Sequence, residues 1–458
     1  MLRAPIKGIR RSSPDQLEPR VGVVLLTDRR KLRERRWTLP RAGFPVTAAG
    51  MDTMSIEELS ARQPTLIDGD VLLPALVIKR SALANNIAVM QAFAKRHGVL
   101  LAPHAKTTMA PQLLQQQLDA GAWGVTVANV FQANVARLAG ARAILIANEV
   151  VGSPDIDWLI RMTRDDATTV MVQVDSPASA MILERRLRLA TDGGLLKVLV
   201  ELGPAGGRTG ARDETAVTAT ARAIADADHL RLVGVTTYEG VVAHDREPDS
   251  LARIDGYLDR VKATTLRLAE GGFFDGSERL IVSAGGTRYV DRVIERLAPA
   301  AWGGHSVDLI VRAGCYITYG HGAGLNDTPF FDAGPFGQLT PLLELWAEVL
   351  SVPEPGLAIV GVGKRNVGER AGAIIPLWVR PRGQDPDSDR ALVAAGDALT
   401  ISGLDDQHAY LAHRPGGIGV GDRIGFGLQH PAALDRWRVV PIVDDAYRIT
   451  DAVATFFA

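Results

Sequence analysis

The sequence has 458 residues, with 51 basic and 52 acidic side chains and a net charge near zero, and a chain of this length is expected to form two or three domains. The charge balance argues against nucleic acid or an anionic membrane surface as a partner, and no apolar run reaches the roughly 18 residues of a membrane span, so a small molecule is the expected ligand. The only cysteine, Cys315, excludes an intrachain disulfide framework and a four-cysteine zinc site, and it favours a cytoplasmic protein.

Residues 1–50 form a basic extension, with 12 Lys or Arg against 4 Asp or Glu. They lack the long apolar centre of a secretory signal, and a poorly ordered extension is the expectation. Residues 51–97 are predicted to lead into the first domain. The apolar run Pro74–Ile78 could form a strand in the sheet of a second domain, and Leu83, Ile87, Met90 and Ala94 recur at the spacing of a helix with one buried stripe.

Residues 98–328 alternate between apolar runs rich in β-branched residues and amphipathic stretches, which is typical of repeated strand-helix units on a parallel sheet. Eight such units favour a closed (β/α)8 TIM barrel over an open sheet. The predicted strands are Val99–Ala102, Trp123–Val127, Ala143–Ala147, Val170–Val174, Lys197–Glu201, Leu232–Thr236, Leu280–Ser283 and Asp308–Val311.

Residues 329–458 lack this alternation, and Pro and Gly separate their strand-like runs. We therefore predict a C-terminal β-rich domain. Its predicted strands are Leu345–Val352, Leu357–Val362, Ala373–Val379 and Leu399–Ser402.

The chemistry of a barrel collects at the carboxyl ends of its strands. Lys106 follows the first strand, where an ammonium is placed to condense with a carbonyl of a substrate or of pyridoxal phosphate. Arg208 lies between glycines after the fifth strand and could meet an anionic oxygen. Tyr238 and Glu239 follow the sixth. A solvated lysine, an arginine in a surface turn and a packing tyrosine are the ordinary alternatives.

Two glycine-rich turns follow the seventh and eighth strands, at Ser283–Thr287 and Arg312–Tyr316. Glycines let backbone amides approach an anion, and a helix predicted to start near Tyr289 adds a positive partial charge. The loops after strands seven and eight are also where barrels of this class usually hold phosphate. The sequence therefore predicts a phosphate site here.

Six segments in combination resemble the D-serine dehydratase/D-threonine aldolase family of fold-type III pyridoxal-phosphate enzymes, from about residue 70 to the C-terminus and closest to the amino acid deaminase-like members. The resemblance implies an alanine-racemase-like barrel that binds pyridoxal 5'-phosphate, a C-terminal β domain and a homodimer with active sites near the subunit interface. The segments are Pro74–Ile78, Pro103–Thr107, Gly207–Gly210, Ser283–Gly286, Arg312–Tyr316 and His430–Pro431.

The resemblance also implies roles for the cofactor-binding residues. Lys106 would condense with the cofactor's aldehyde, Arg208 would face its phenolic oxygen, and Arg312 would face its pyridine nitrogen. Tyr238 would line the ring pocket. The phosphate would be held, largely through main-chain amides, by Ser283, Gly285, Gly286, Gly314, Cys315 and Tyr316.

A divalent metal, zinc or manganese, is bound in this family by a histidine and by a cysteine or aspartate two residues later. Here the histidine is His430, but the second position is Ala432, whose methyl group cannot ligate a metal. A single imidazole would hold the ion only weakly. Asp435 and His408 are remote substitutes, and His430 is also the first candidate for a catalytic acid.

The expected function is that of a lyase acting on a D-amino acid. The predicted reaction dehydrates and deaminates a D-β-hydroxy amino acid of the D-serine or D-threonine type to a keto acid and ammonia, with Lys106 removing the Cα proton. Three alternatives stay open: a D-threonine-type aldolase, a metal-free amino acid racemase, and a non-catalytic pyridoxal-phosphate protein. The last leaves the roughly 130 residues after Pro329 without a purpose.

Overall fold

The structure is a computed structural model that describes residues 61, 63–67, 71–190, 194–274, 279–302, 304–322, 327–331, 334, 337–368, 374–383 and 392–457. The predicted basic extension, residues 1–50, lies outside this set. Within it, no helix combines the length and the apolar character that crossing a bilayer requires.

The first sheet is a barrel of eight parallel strands, whose order runs from β2 (Leu100–Leu101) to the last strand, β9 (Val307–Val311), and then back along the chain to β3 (Val125–Val127). Between the two ends of this order, the chain is bridged at His104 and Thr126, and the Trp123 amide donates to the Leu101 carbonyl at 2.8 Å, so the barrel is nearly closed. All eight predicted strands are present. They are β2 Leu100–Leu101, β3 Val125–Val127, β4 Ala143–Ile146, β5 Thr169–Val174, β6 Leu196–Leu202, β7 Leu230–Thr237, β8 Leu280–Ala284 and β9 Val307–Val311.

Helices surround the barrel, and polar residues at the ends of several loops start them. Asn129 and Asp213 accept hydrogen bonds from backbone amides of the first helical turn at 2.9 and 2.8 Å, which satisfies donors that a helix start leaves unpaired. The predicted stripe of the first helix, α1 (Arg80–Arg96), is buried throughout. The helices are α1 Arg80–Arg96, α2 Pro111–Asp119, α3 Val130–Leu138, α4 Ser153–Met162, α5 Pro177–Arg188, α6 Glu214–Ala225, α7 Pro248–Glu270, α8 Val290–Leu297 and, beyond the barrel, α9 Lys364–Val367.

The barrel interior is filled by apolar side chains from several strands. This inner cluster comprises Ala102, Leu145, Met171, Leu199, Val233 and Ile310. Because side chains alternate across a strand, the residues two positions further along also point inward. A site in this barrel must therefore be built above the cluster, at the carboxyl ends of the strands.

The second sheet has ten strands, and the first strand of the chain, β1 (Ala75–Lys79), lies inside it. β1 pairs antiparallel with β10 (Leu343–Glu354) and parallel with β17 (Val439–Val443), as the sequence suggested for the Pro74–Ile78 run. Parts of four of its strands were predicted and five were not. The strands are β10 Leu343–Glu354, β11 Leu357–Val360, β12 Ile374–Arg380, β13 Val393–Ala394, β14 Thr400–Leu404, β15 Ala409–Ala412, β16 Arg423–Leu428, β17 Val439–Val443 and β18 Ile449–Ala454.

Candidate active site

A cavity of about 530 Å³ lies at the carboxyl ends of the barrel strands. It brings together nine of the eleven predicted site residues. These are Lys106, Arg208, Tyr238, Gly285, Gly286, Arg312, Gly314, Cys315 and His430. One of these nine residues comes from outside the barrel, because His430 belongs to the segment that follows β16 of the second sheet.

Ser283 and Tyr316, the other two predicted residues, do not line the cavity. The Ser283 hydroxyl is buried and donates to the Ile310 carbonyl at 3.3 Å. The Tyr316 hydroxyl is buried beside Gln117, whose side-chain nitrogen lies 2.7 Å away. Both hydroxyls are thus engaged within the wall, and the expected contact of these two residues with a phosphate through their main-chain amides stays a prediction.

Lys106 lies in a 3₁₀ turn, Ala105–Thr107, directly after β2. His104 begins this turn, and its Nδ1 accepts a hydrogen bond from the Lys106 amide at 3.4 Å. Lys106 is exposed to the open cavity, but the surrounding protein partly desolvates its ammonium and lowers its pKa; the charges of Arg208 and Arg312 lower it further, and Cys315 opposes them. A larger fraction of neutral amine makes this side chain a better nucleophile toward a carbonyl.

The glycine turn after β8 departs from the predicted phosphate site. The amides of Gly285 and Gly286 donate to the two carboxylate oxygens of Glu239, at 3.0 and 2.8 Å. Glu239 is completely buried in the turn after β7, and this burial raises its pKa. The two amides that we expected to meet a phosphate are therefore occupied by a side chain that the sequence analysis had noted only by position.

Other groups at this end of the cavity could still bind an anion. The Thr287 side-chain oxygen is buried and has no hydrogen-bond partner, although Thr287 lines the cavity. Nearby, a Cβ added at Gly314 would lie 2.8 Å from the Thr107 oxygen, so only glycine lets this turn approach the Lys106 turn so closely. A buried hydroxyl without a partner is the kind of group that a bound ligand satisfies.

Arginines and a tyrosine form the middle of the site. Arg312 is buried and donates to the Thr236 hydroxyl at 2.7 Å and to the Thr237 carbonyl. The Arg208 guanidinium stacks over the Tyr238 ring with 4.9 Å between its carbon and the ring centroid. Burial raises the pKa of Tyr238 to about 12, so its hydroxyl stays protonated at neutral pH.

Sequence reasoning missed Gln173 and Glu201, which line the cavity and are joined by a hydrogen bond of 2.7 Å. Strand alternation could have found them, because they follow the inward-facing Met171 and Leu199 by two positions. Arg312 follows Ile310 in the same way. Burial raises the pKa of Glu201, while its attraction to the Arg312 charge opposes that rise.

Glu149, in the loop after β4, makes the stability of the folded protein depend on pH. Burial raises its pKa to about 8, and the carboxylates of Asp175 and Glu201 contribute. A raised carboxyl pKa means that the folded protein holds this proton more tightly than the unfolded chain does. The free energy of unfolding is therefore highest below the ordinary carboxyl pKa and falls as the pH rises towards 8.

We expect Glu149→Gln to remove part of this dependence. Wild-type stability should fall by on the order of 1–4 kcal/mol between pH 5 and 8, and the variant should lose less. Urea unfolding at several pH values measures the difference, with the exposed Glu354→Gln as the control. Equal pH slopes for Glu149→Gln and wild type would contradict this assignment.

The metal-binding pair of the family is incomplete in this chain, because Ala432 stands at the second position. His430 Nδ1 accepts a hydrogen bond from the Ala432 amide at 3.1 Å, and Ala432 does not line the cavity. Asp435 pairs with Arg436 at 3.3 Å, and His408 lies exposed between β14 and β15. The residues that the structure describes therefore do not fit a divalent metal here.

Two family models match the chain. The model of the alanine racemase N-terminal domain matches residues 78–286, and that of a putative serine dehydratase domain matches residues 343–443. Among curated proteins, the D-threonine aldolase of Arthrobacter sp is 27% identical over 344 residues, covering 75% of this chain and 80% of that protein. The D-threo-3-hydroxyaspartate dehydratase of Delftia sp. (strain HT23) is 29% identical over 261 residues, covering 56% of this chain and 63% of that protein.

Solved structures show the same fold. The D-threonine aldolase from Filomicrobium marinum matches with a TM-score of 0.68 at 24% identity, over 84% of this chain and 95% of that one. A cysteine-to-alanine mutant of D-threo-3-hydroxyaspartate dehydratase, in the metal-free form, matches with a TM-score of 0.67 at 23% identity, over 86% of this chain and 100% of that one. A histidine-to-alanine mutant of that dehydratase, altered two positions earlier, matches equally well, with a TM-score of 0.67 at 22% identity, over 87% of this chain and 98% of that one.

Proposed function

Because the chain belongs to the fold-type III family that joins an alanine racemase N-terminal domain to a serine dehydratase domain, we propose that it is a pyridoxal-phosphate-dependent lyase acting on D-β-hydroxy amino acids. The proposed reaction eliminates the β-hydroxyl as water and releases ammonia and a keto acid. The observation that carries the proposal is the Lys106 amine, whose pKa is lowered in a cavity at the carboxyl ends of the barrel strands.

The residues of the cavity fit the cofactor. Lys106 would hold its aldehyde, and Arg208 and Tyr238 would lie along its ring. The buried Thr287 hydroxyl without a partner, together with the main chain of Gly314 and Cys315, would hold its phosphate. Bound pyridoxal phosphate supplies an electron-withdrawing ring that makes the substrate Cα proton acidic.

The chain's own groups would then handle the proton and the charge. The Lys106 amine, once the substrate amine has displaced it, would accept the Cα proton at Nζ, because its lowered pKa leaves it unprotonated more often than a free lysine. The Arg312 guanidinium, fixed by Thr236 and Thr237, would keep a positive charge beside the pyridine nitrogen. Glu201 would balance part of that charge.

An aldolase is the second candidate, and the 27% identity to the D-threonine aldolase over 344 residues favours it. In that case the β-hydroxyl proton would be removed and the bond between Cα and Cβ would break. The metal-free racemase remains the third alternative. The homodimer and the cytoplasmic location remain predictions of the sequence analysis.

One experiment separates these candidates. Purified protein, reconstituted with pyridoxal phosphate, is incubated with the D and L forms of serine, threonine and 3-hydroxyaspartate, and ammonia, aldehyde and enantiomer are assayed. We expect ammonia from D substrates. Aldehyde without ammonia would point to the aldolase, and the opposite enantiomer alone would point to a racemase.

The proposed phosphate position can be tested at Thr287. Thr287→Val keeps the shape of the side chain but removes the hydroxyl, and we expect the dissociation constant of pyridoxal phosphate to rise by roughly 3- to 10-fold, which corresponds to the loss of one hydrogen bond. Fluorescence titration of the cofactor-free protein measures this. Thr169→Val, on an exposed position of β5, should bind normally, and an unchanged affinity in Thr287→Val would place the phosphate elsewhere.

A further inference from the structure

The segment His430–Ala432 is where this chain departs from its family. The family pattern has a histidine and a second ligand two residues later, and the dehydratase relative is known in a metal-free form when a cysteine is replaced by alanine. In this chain an alanine is the natural residue at the second position. A methyl group offers no lone pair, so Ala432 cannot take part in a metal site.

The hydrogen bond at Nδ1 of His430 opposes metal binding independently of Ala432. His430 is the first residue of the 3₁₀ turn that continues through Pro431–Arg436, and its Nδ1 accepts from the Ala432 amide at 3.1 Å. A nitrogen that accepts a hydrogen bond has no proton, so the neutral ring carries its proton on Nε2.

An imidazole that binds a metal through Nε2 has the reverse arrangement, because its Nδ1–H then donates to a carbonyl or carboxylate. The backbone around His430 thus selects the tautomer whose Nε2 is a hydrogen-bond donor and has no lone pair for a metal.

His430 belongs to no group of three or more described His, Cys, Asp or Glu side chains that could hold a metal. Within the described ranges, one group of three His, Cys, Asp or Glu side chains could meet a metal, and it comprises Glu184, Asp228 and His229, none of which lines the cavity. Arg188 already pairs with Glu184 at 3.1 Å and with Asp228 at 3.0 Å, and this arginine would repel a metal cation there.

The location of His430 suits a direct contact with the substrate. The turn that it starts packs against the Ala105–Thr107 turn, which carries Lys106, and both His430 and Lys106 line the cavity. A substrate whose Cα lies beside the Lys106 amine would therefore have its β-carbon close to that amine and within reach of the turn that starts at His430.

We propose that this site works without a divalent metal and that His430 donates a hydrogen bond through Nε2–H to the β-oxygen of the substrate. This inference rests on the proposed function for the identity of the substrate. A fixed donor stabilises the negative charge that develops on the departing oxygen, which a metal ion would otherwise do.

Metal content is the first test. Protein incubated with excess zinc or manganese and then desalted should retain well under about one tenth of an equivalent by mass spectrometry, and a chelator should not change its activity. A stoichiometric metal in the wild type, or activity that a chelator abolishes and the ion restores, would overturn the inference.

Two substitutions of His430 separate the two ring nitrogens. The side-chain oxygen of His430→Asn can replace Nδ1 at the start of the turn but supplies no group at the position of Nε2. The amide nitrogen of His430→Gln lies near the position of Nε2 and still donates. We expect the Asn variant to keep its melting temperature and lose roughly 100-fold in kcat, and the Gln variant to lose about 10-fold or less. Equal activity in the two variants would contradict a donor role for Nε2.

The tautomer can be read without any turnover. In protein labelled with 15N-histidine, the His430 signals are identified by their loss in His430→Asn, and we expect a protonated Nε2 and an unprotonated Nδ1. The opposite tautomer would overturn the inference. If no D-β-hydroxy amino acid is a substrate, the proposed function fails, whereas the metal and tautomer measurements still decide whether the site is built without a metal.

Discussion

Lys106→Ala is expected to lower turnover by at least roughly 10³-fold and to abolish covalent retention of pyridoxal phosphate. The amine at Nζ is the group that would hold the cofactor and accept the Cα proton, and no other described lysine lines the cavity. The wild-type protein should be yellow after reconstitution. Visible absorbance before and after borohydride reduction, together with the mass of the intact protein, measures the covalent link.

Two further variants make this result specific. Lys106→Arg keeps a positive charge in the same turn but cannot condense with an aldehyde, so it should be as inactive as the alanine variant if condensation matters and charge does not. Lys197→Ala removes an exposed lysine from β6 and should behave like the wild type. A colourless wild-type protein that binds no cofactor would end the assignment of this cavity.

Glu239→Gln is expected to destabilise the protein by about 2–4 kcal/mol and to weaken cofactor binding with it. The carboxylate accepts from the Gly285 and Gly286 amides with its two oxygens. A glutamine has one oxygen, so its amide nitrogen must face one of the two N–H groups and leave it buried without an acceptor. Because the same loop continues to Thr287, disorder in the loop would reach the proposed phosphate position.

Urea unfolding and cofactor titration of Glu239→Gln test this expectation together. Glu348→Gln is a suitable control, since Glu348 is a half-exposed glutamate that pairs with Arg423 on the second sheet. A Glu239→Gln protein with wild-type stability would show that the two glycine amides find other partners. If the variant is destabilised but binds the cofactor with wild-type affinity, the loop that Glu239 holds does not contribute to phosphate binding.

The barrel was predictable because its strands are buried on both faces and read as continuous apolar runs. The same pattern predicted where the strands end, so Lys106, Arg208 and Arg312 could be placed together at the carboxyl end of the barrel. The contact of Glu239 with the glycine turn could not be predicted, because it joins loops from two different strands through a conformation that only the folded chain defines.

The second sheet was harder to predict, and two of its strands, β16 and β17, show why. β16 contains Gly425, where a side chain would come within 2.6 Å of the Trp346 ring, so only glycine leaves room for this tryptophan of the neighbouring strand. β17 contains Pro441, which local sequence rules assign to a turn or an edge. In both strands a tertiary requirement overrides the local signal.

The position of β1 in the interior of the second sheet has a consequence for biosynthesis. β1 leaves the ribosome before the barrel, but its parallel neighbour β17 is made only after the barrel and most of the second sheet. The sheet cannot be completed cotranslationally until nearly the whole chain has emerged, because closing so long a loop precedes the pairing. Expression of the C-terminal segment alone would also leave β10 and β17 with unpaired edges, and such a fragment should aggregate unless a peptide with the β1 sequence is supplied.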